Sequence, residues 1–207
     1  MTTPSTNTDS RPAEQQCLVP YFDPSTASPA VAAALNVLPF KRNIFLLLGH
    51  SAGLFPPLMA VYGTIFDASA RKLPLLDWQL VVLRIAAVLK AEYEWDVNAP
   101  VARQHGMPEA QLKALSDSAA DVQRDDASNV WSERQRAILR LVDQQLETYN
   151  NTEDAVATLR RFLSIEEVIE VYIILGLYLL IARLTQGLRI DLDGEVPGIE
   201  DAISKLR

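Results

Sequence analysis

The sequence predicts an all-α protein with one main helical domain. Hydrophobic residues make up 49% of its 207 residues, which is enough for a packed core. Apolar residues recur with the helical period along most of the chain. The Asp-Gly pair at 193–194 lies in a polar stretch without flanking strand-like alternation, so no hairpin is predicted. We expect a helical domain over 28–193, between a flexible polar tail at 1–27 and a second tail at 194–207.

The first predicted helix begins at Ser28, a plausible N-cap, and continues through an alanine-rich segment to about Leu38. A proline follows Ser28 directly, as is common in the first turn of a helix. The stretch "NIFLLLGHSAGLFPPLMAVYGTIFD" then predicts two helices that break near residues 49–51. A pair of prolines at 56–57 lies in the opening turn of the second of these helices.

Residues 73–89, "LPLLDWQLVVLRIAAVL", are apolar nearly all round and predict a long buried helix. The next helix starts at or near "EYEW" (92–95) and ends near Gly106, and "MPEAQLKAL" begins another. The stretch "DSAADVQRDDASN" that follows predicts a polar loop. Three further helices are expected over residues 132–148, 152–162 and 164–187.

A weak internal repeat suggests two weakly similar helical halves. "LRIAAVLKAEYEW" (83–95) aligns without a gap to "LRLVDQQLETYNN" (139–151). Where the first copy has Glu92, Glu94 and Trp95, the second has uncharged polar residues. We therefore expect any functional site to lie in the first copy.

Composition argues against several classes of function. The net charge of −7, without a Lys/Arg cluster, does not suit a nucleic-acid binder. A single cysteine, Cys17 in the expected polar tail, allows no intrachain disulfide, CxxC pair or cysteine zinc site. His50 and His105 lack metal-ligand spacing. Residues 1–16 lack a secretory apolar segment, and the apolar runs are shorter than the ~20 residues of a membrane span. We expect a cytoplasmic protein without cofactor, metal or membrane contact.

Residues 75–115, "LLDWQLVVLRIAAVLKAEYEWDVNAPVARQHGMPEAQLKAL", resemble the core motif of the carboxymuconolactone decarboxylase family, which includes the alkylhydroperoxidase-D-like proteins. The flanking segments are similar as well, so the resemblance covers roughly residues 28–193. It implies an all-helical, cofactor-independent homo-oligomer, a trimer, hexamer or dimer. It also implies a site in a cleft between helices near the subunit contacts.

The family's redox branch has a CxxC pair, a histidine four residues later and an upstream glutamate. In this chain the cysteine positions hold Ala91 and Glu94, the histidine position holds Asn98 and the upstream glutamate position holds Gln79. The resemblance therefore implies that the chain is not a thiol peroxidase. The decarboxylase branch has a glutamate four residues before a histidine. Glu94 keeps that glutamate in an "EYEW" motif, while Asn98 replaces the histidine.

The residues themselves also make Glu94 a candidate acid or base. Glu94 and Asn98 are four apart and share a helix face, so a carboxylate and an amide could grip one substrate oxygen. Burial beside Tyr93 or Trp95 would raise the carboxyl pKa toward neutrality. The alternative is an acid that only balances the helix dipole. Asn98 and Tyr93 are expected to hold substrate oxygens and Trp95 to contact the substrate. Glu92 is expected to be the solvated neighbour of Glu94.

Other candidates are predicted to bind the substrate, each with a structural alternative. Arg84 lies in an apolar helix and needs a partner, either an "EYEW" carboxylate or a substrate carboxylate. Gln79 could orient a ligand or make a core hydrogen bond. His50 could line the cleft or belong to a helix cap. Tyr178 is the one member of the apolar "YIILGLYLLIARL" stripe expected to reach a pocket.

The sequence therefore predicts a cofactor-independent lyase or isomerase. The expected substrate is a small carboxylated or enolisable ring compound, and the expected reaction is decarboxylation, dehydration or ring rearrangement. Specialised-metabolite biosynthesis is one setting that the resemblance suggests. The alternative is a non-catalytic oligomeric binding or scaffold protein that keeps the fold.

Overall fold

The computed structural model describes residues 16–38, 41–126 and 129–205. Over these ranges the prediction of an all-α fold is confirmed, because they contain helices and no strand. A short 3₁₀ turn, Pro24–Thr26, precedes the α-helices. These helices are α1 (Pro29–Leu35), α2 (Asn43–Leu48), α3 (Phe55–Phe66), α4 (Leu75–Leu89), α5 (Glu92–Gln104), α6 (Glu109–Ala114), α7 (Ala119–Val122), α8 (Glu133–Thr148), α9 (Glu153–Leu159), α10 (Ile165–Gly187) and α11 (Ile199–Ser204).

Helix α4 is the centre of the fold, as its apolar sequence predicts. It packs against α5, α8 and α10, and every side chain from Asp77 to Ala86 is buried. Each large aliphatic side chain removed from water there stabilises the fold by about 1.5–3 kcal/mol. A second cluster of buried apolar residues joins α1, α2 and α3 to Tyr93 of α5 and Ile181 of α10.

Local signals explain several helix starts. The Ser28 side chain accepts a hydrogen bond from the backbone N–H of Val31 at 3.4 Å, with Pro29 in the first turn. Ser132 and Ser164 each form a capping box at the starts of α8 and α10. The predicted polar loop at 117–129 differs in one respect, because it contains the short helix α7.

The turn between α4 and α5 positions the candidate site. Lys90 adopts a left-handed conformation with φ 55°, and the backbone N–H of Ala91 donates to the carbonyl of Ala86 at 2.8 Å. Helix α5 therefore starts at Glu92 and packs back along α4, as "EYEW" predicts. Helix α8 also ends at a left-handed residue, Tyr149. In the gapless repeat alignment, however, Lys90 matches Leu146, three residues before Tyr149.

Both chain ends are packed further than predicted, although residues 1–15 of the expected tail lie outside the described ranges. Cys17 is fully buried, and the backbone N–H of Leu18 donates to the carbonyl of Leu188 at 2.7 Å. Beyond residue 193, α11 packs on α5 and buries Ile203. Residues 17–18 and α11 therefore pack on the helices, because these polar segments contain a few apolar residues with partners distant in sequence.

Helix α10 is long and apolar enough to cross a membrane by length and composition alone, with a mean hydropathy of 2.0 over 18 of its residues. A core helix passes the same test, and α10 packs one side on α4. Its other side exposes apolar side chains, and we call these residues the α10 outer face: Ile165, Ile169, Ile173 and Leu180.

Candidate active site

A cavity of about 80 Å³ lies between α2, α3, α4, α5, α10 and α11. Most of its wall is aliphatic or aromatic. The chain contributes few charged or amide groups to the wall, and they are Arg42, Gln79, Glu94 and Asn98. An apolar pocket with a few convergent polar groups is the usual form of a small-molecule site.

Glu94 is in the first turn of α5 and only 1% of it is exposed. Its Oε1 accepts a hydrogen bond from Thr185 Oγ1 of α10 at 2.8 Å, whereas its Oε2 has no partner among the described residues. Burial raises the pKa of the Glu94 carboxyl, and the Thr185 bond opposes that shift. Glu94 therefore lies at a helix start, as expected for an acid that balances the helix dipole. It is also buried, as expected for a working acid or base.

Thr185 allows Glu94 to exist in either protonation state. Its Oγ1 lies 2.8 Å from Glu94 Oε1 and 3.3 Å from the carbonyl oxygen of Ala182. When Glu94 is ionised, the hydroxyl donates to the carboxylate. When Glu94 is protonated at Oε1, the carboxyl can donate to Thr185, whose own hydrogen then turns to Ala182. The sequence analysis did not single out Thr185, although an isolated hydroxyl in an apolar helix is a usable signal.

Gln79 of α4 lines the same cavity and is 1% exposed. Its Oε1 has no hydrogen-bond partner, and no described residue bonds its amide nitrogen. The predicted core hydrogen bond is therefore absent from the described part of the chain. Leaving a buried polar group unsatisfied costs about 1–3 kcal/mol, which favours the ligand-orienting reading.

Asn98 and Tyr93 line the cavity but make different contacts from those predicted. Asn98 Nδ2 donates to the backbone carbonyl of Glu94 at 2.8 Å, so this amide does not pair with the carboxylate. Tyr93 Oη donates to Asp193 Oδ2 at 2.8 Å and accepts from the N–H of Ile44 at 3.3 Å. The Tyr93 hydroxyl thus links the segment at Asp193 to α2, and both of these bonds occupy the hydroxyl that was predicted to bind a substrate oxygen.

Tyr178 reaches the cavity as predicted, and Tyr62 of α3 lies beside it. Burial raises the pKa of both tyrosines, and the neighbouring Glu94 carboxylate adds to both shifts. Both phenols are therefore protonated at neutral pH, and they surround Glu94 with ring surface rather than with charge.

Three residues that were predicted to bind the substrate are not among the described residues that line this cavity. Arg84 holds Asp143 through two hydrogen bonds of 2.7 and 3.1 Å. Trp95 packs against the alanines where α4 meets α5 and lines a separate surface cleft. His50 is exposed, and its Nε2 lies 2.8 Å from the carbonyl oxygen of Pro20. Arg84 and His50 each have a polar partner distant in sequence, whereas Trp95 makes apolar contacts.

The cavity rim is formed by an ion pair between the start of α2 and Asp193 and by α11, which lies in the predicted C-terminal tail. Arg42 Nη1 pairs with Asp193 Oδ2 at 2.8 Å, and the N–H of Asn43 donates to Asp193 Oδ1 at 2.7 Å. Ile199 and Ile203 of α11 line both the cavity and an outer cleft of about 580 Å³. Helix α11 therefore separates the buried acid from this cleft.

Over the described ranges, no group of three or more His, Cys, Asp and Glu side chains could hold a metal ion. The polar groups of the cavity are instead suited to hydrogen bonding and to the transfer of one proton.

Comparison with known proteins links the chain to a fold. No protein-family model matches the sequence, and no curated protein matches it either. An alkylhydroperoxidase AhpD core protein from Ralstonia eutropha JMP134, described as peroxidase-related, superimposes with a TM-score of 0.68 at 15% identity. The match covers 86% of this chain and 92% of that chain. A peroxidase-related protein from Silicibacter sp. TM1040 gives 0.65 at 13% identity, over 96% and 99%.

The debrominase Bmp8 superimposes with a TM-score of 0.63 at 16% identity, over 90% of this chain and 96% of its own. These identities establish similarity of fold and leave the chemistry of the site open. The fold is thus shared with peroxidase-related proteins and a debrominase. The chain has the alkylhydroperoxidase AhpD-like fold.

Proposed function

We propose that the chain is a cofactor-independent lyase or isomerase that moves a proton on a small enolisable ring compound. Glu94 is the general acid or base. The observation that carries the proposal is a buried carboxyl with one unbonded oxygen in an apolar cavity, beside a hydroxyl that suits either protonation state. A carboxyl with a raised pKa is a usual proton donor or acceptor near neutral pH.

Decarboxylation, dehydration and ring rearrangement all share this requirement. Each passes through an enol or a related anion, and each needs a proton delivered to carbon or oxygen or removed from it. Glu94 supplies that proton, and the surrounding apolar wall excludes water that would stabilise its charge. Tyr62 and Tyr178 supply ring surface for a flat substrate.

A ring compound is also consistent with a protein of the same fold. The debrominase Bmp8, in a variant with one cysteine replaced by alanine, is known in complex with 2,3,4-tribromopyrrole. The cysteine in this chain is Cys17, which is buried in the second apolar cluster and does not line the cavity. We therefore assign the chain a proton-transfer reaction on a ring rather than thiol chemistry.

The structure does not support the carboxylated form of the predicted substrate. Its expected anchor, Arg84, is bound to Asp143, and the guanidinium at the rim, Arg42, is bound to Asp193. An entering carboxylate would also approach the carboxyl of Glu94. We therefore retain the enolisable alternative, and with it dehydration and ring rearrangement rather than decarboxylation.

Deuterium exchange tests this function without knowledge of the natural substrate. A panel of single-ring ketones, lactones and lactams is incubated with the protein in D₂O, and loss of the α-proton signal is followed by NMR. The wild-type protein should accelerate exchange of at least one member, and Glu94→Gln should lower that rate roughly a hundredfold. Glu92→Gln is the matched control, because Glu92 is exposed on the same helix turn and should keep the rate.

A second candidate is a non-catalytic oligomeric binding protein, which the exposed α10 outer face favours. Failure to accelerate exchange of any panel member, or equal rates in folded Glu94→Gln and wild type, would favour this candidate over the enzyme.

A further inference from the structure

We propose that Gln79 selects the substrate of this cavity, and that the substrate is an uncharged single-ring compound with a hydrogen-bond donor next to an acceptor, as in a lactam. This inference rests on the proposed function in one respect: it assigns the substrate to the same cavity as Glu94.

The Gln79 amide is the strongest recognition element in the cavity wall. It is almost fully buried, it lines the cavity, and the described residues leave it without a partner. A primary amide presents a C=O acceptor and an N–H donor side by side. A ligand that presents an N–H next to a C=O matches both groups at once, and it does so whichever way the amide is turned.

Charge around the cavity favours a neutral ligand. The arginine of the cavity wall, Arg42, is already paired with the carboxylate of Asp193. A cationic ligand would be attracted by Glu94 but would lose its hydration against a wall that is otherwise aliphatic and aromatic. An anion would lose its hydration and would also be repelled by any ionised Glu94. A neutral ligand with a polar edge avoids both the loss of ionic hydration and the repulsion by Glu94.

The size of the cavity restricts the ligand to one ring. Its volume of about 80 Å³ is below the roughly 150 Å³ of an engineered cavity that holds benzene. The α11 side chains Ile199 and Ile203 must therefore move to admit even a five- or six-membered ring, and a fused bicyclic compound would require a larger rearrangement.

Three single-ring probes of similar size separate the possible recognition modes: 2-pyridone, toluene and benzoate. They are, respectively, a neutral donor–acceptor compound, an apolar compound and an anion. Binding to the full chain is measured at pH 7 by calorimetry and ligand-observed NMR. We expect 2-pyridone to bind more tightly than benzoate. Gln79→Leu should weaken 2-pyridone binding about tenfold or more and leave toluene binding unchanged or stronger.

Matched variants keep the test decisive. Gln104→Leu makes the same chemical change at an exposed position of α5 and should leave every affinity unchanged. Gln79→Met replaces the amide with an unbranched side chain, and it serves if Gln79→Leu does not fold. In both Gln79 variants the ligand-free protein should melt at a higher temperature than wild type, because an unbonded amide has been removed from an apolar site.

Three results would overturn the inference: tighter binding of benzoate than of 2-pyridone, equal 2-pyridone affinity in folded Gln79 variants, or no 2-pyridone binding at millimolar concentration. These results are separable from a failure of the proposed function. Gln79-dependent binding without any proton exchange would refute the enzyme and keep the inference. Exchange that depends on Glu94 but not on Gln79 would support the enzyme and refute the inference about Gln79.

Discussion

Replacing Arg84 tests whether this buried cation holds the fold together or holds a substrate. Arg84 is 2% exposed, and it binds Asp143 through two hydrogen bonds and the carbonyls of Leu115 and Asp117 at 2.6 and 2.8 Å. Arg84→Met fills similar space but leaves the carboxylate and both carbonyls without these donors. Removing one partner of a buried ion pair costs about 3–5 kcal/mol.

For a chain of this length, 1 kcal/mol corresponds to about 2–4 °C in melting temperature, so Arg84→Met should lower Tm by roughly 6–20 °C. The measurement is thermal unfolding by circular dichroism, with urea titration for the free energy of unfolding. The double variant Arg84→Met/Asp143→Leu should recover a large part of the loss, because it removes the stranded charge as well.

Arg140→Met is the matched control. Arg140 aligns with Arg84 in the sequence repeat, but its pair with Asp154 is on the surface, where the two side chains are 34% and 75% exposed. Surface pairs contribute about 0–1 kcal/mol, so this variant should be nearly as stable as wild type. The reasoning would be refuted if Arg84→Met kept full stability, or if it lost ring-ketone exchange per folded molecule while Tm stayed constant. Either result would return Arg84 to the role of substrate anchor.

Three further predictions follow from the same structure. Because burial raises the pKa of Glu94 above the usual 4.5, its contribution to stability is complete at acid pH and is lost as the pH rises through the raised pKa. Urea titrations should therefore show Glu94→Gln gaining stability over wild type between pH 4 and 7, and a gap independent of pH would contradict this. The protein should be a homo-oligomer, so its mass by light scattering should exceed the 23.0 kDa of one chain. Replacing both Ile169 and Ile173 of the α10 outer face with glutamate should lower that mass. A wild-type mass of one chain at micromolar concentration would refute this prediction. Thiol-dependent peroxide turnover should be absent, and Cys17→Ala should leave ring-ketone exchange unchanged, whereas hydroperoxide consumption that disappears in this variant would prove the opposite.

The helices were largely predictable because their signals are local. The Ser28 cap, the capping boxes of α8 and α10, and the apolar run of α4 each reveal an element within a few residues. The burial of Glu94 was predictable for a related reason, since a helix that starts directly after a buried helix must turn one face of its first turn inward.

Partners distant in sequence were not predictable, because many acids and hydroxyls could have served. Nothing near Arg84 in the sequence distinguishes Asp143 from the "EYEW" carboxylates, and the two predicted partners were an "EYEW" carboxylate and a substrate carboxylate. Tyr93 likewise finds Asp193, one hundred residues away. The polar composition after residue 193 hid an apolar pair, Ile199 and Ile203, whose spacing of four residues is the one local sign of α11.

The covering of the cavity by α11 has a consequence for synthesis of the chain. A ribosome makes Glu94 and the rest of α5 long before it makes residues 191–203, which complete the wall and the Asp193 contacts. Until those residues emerge, the cavity is open to solvent on that side and Glu94 can be hydrated and ionised. Domain closure and the rise in the pKa of the Glu94 carboxyl should therefore occur together, as one late step after α11 has left the exit tunnel.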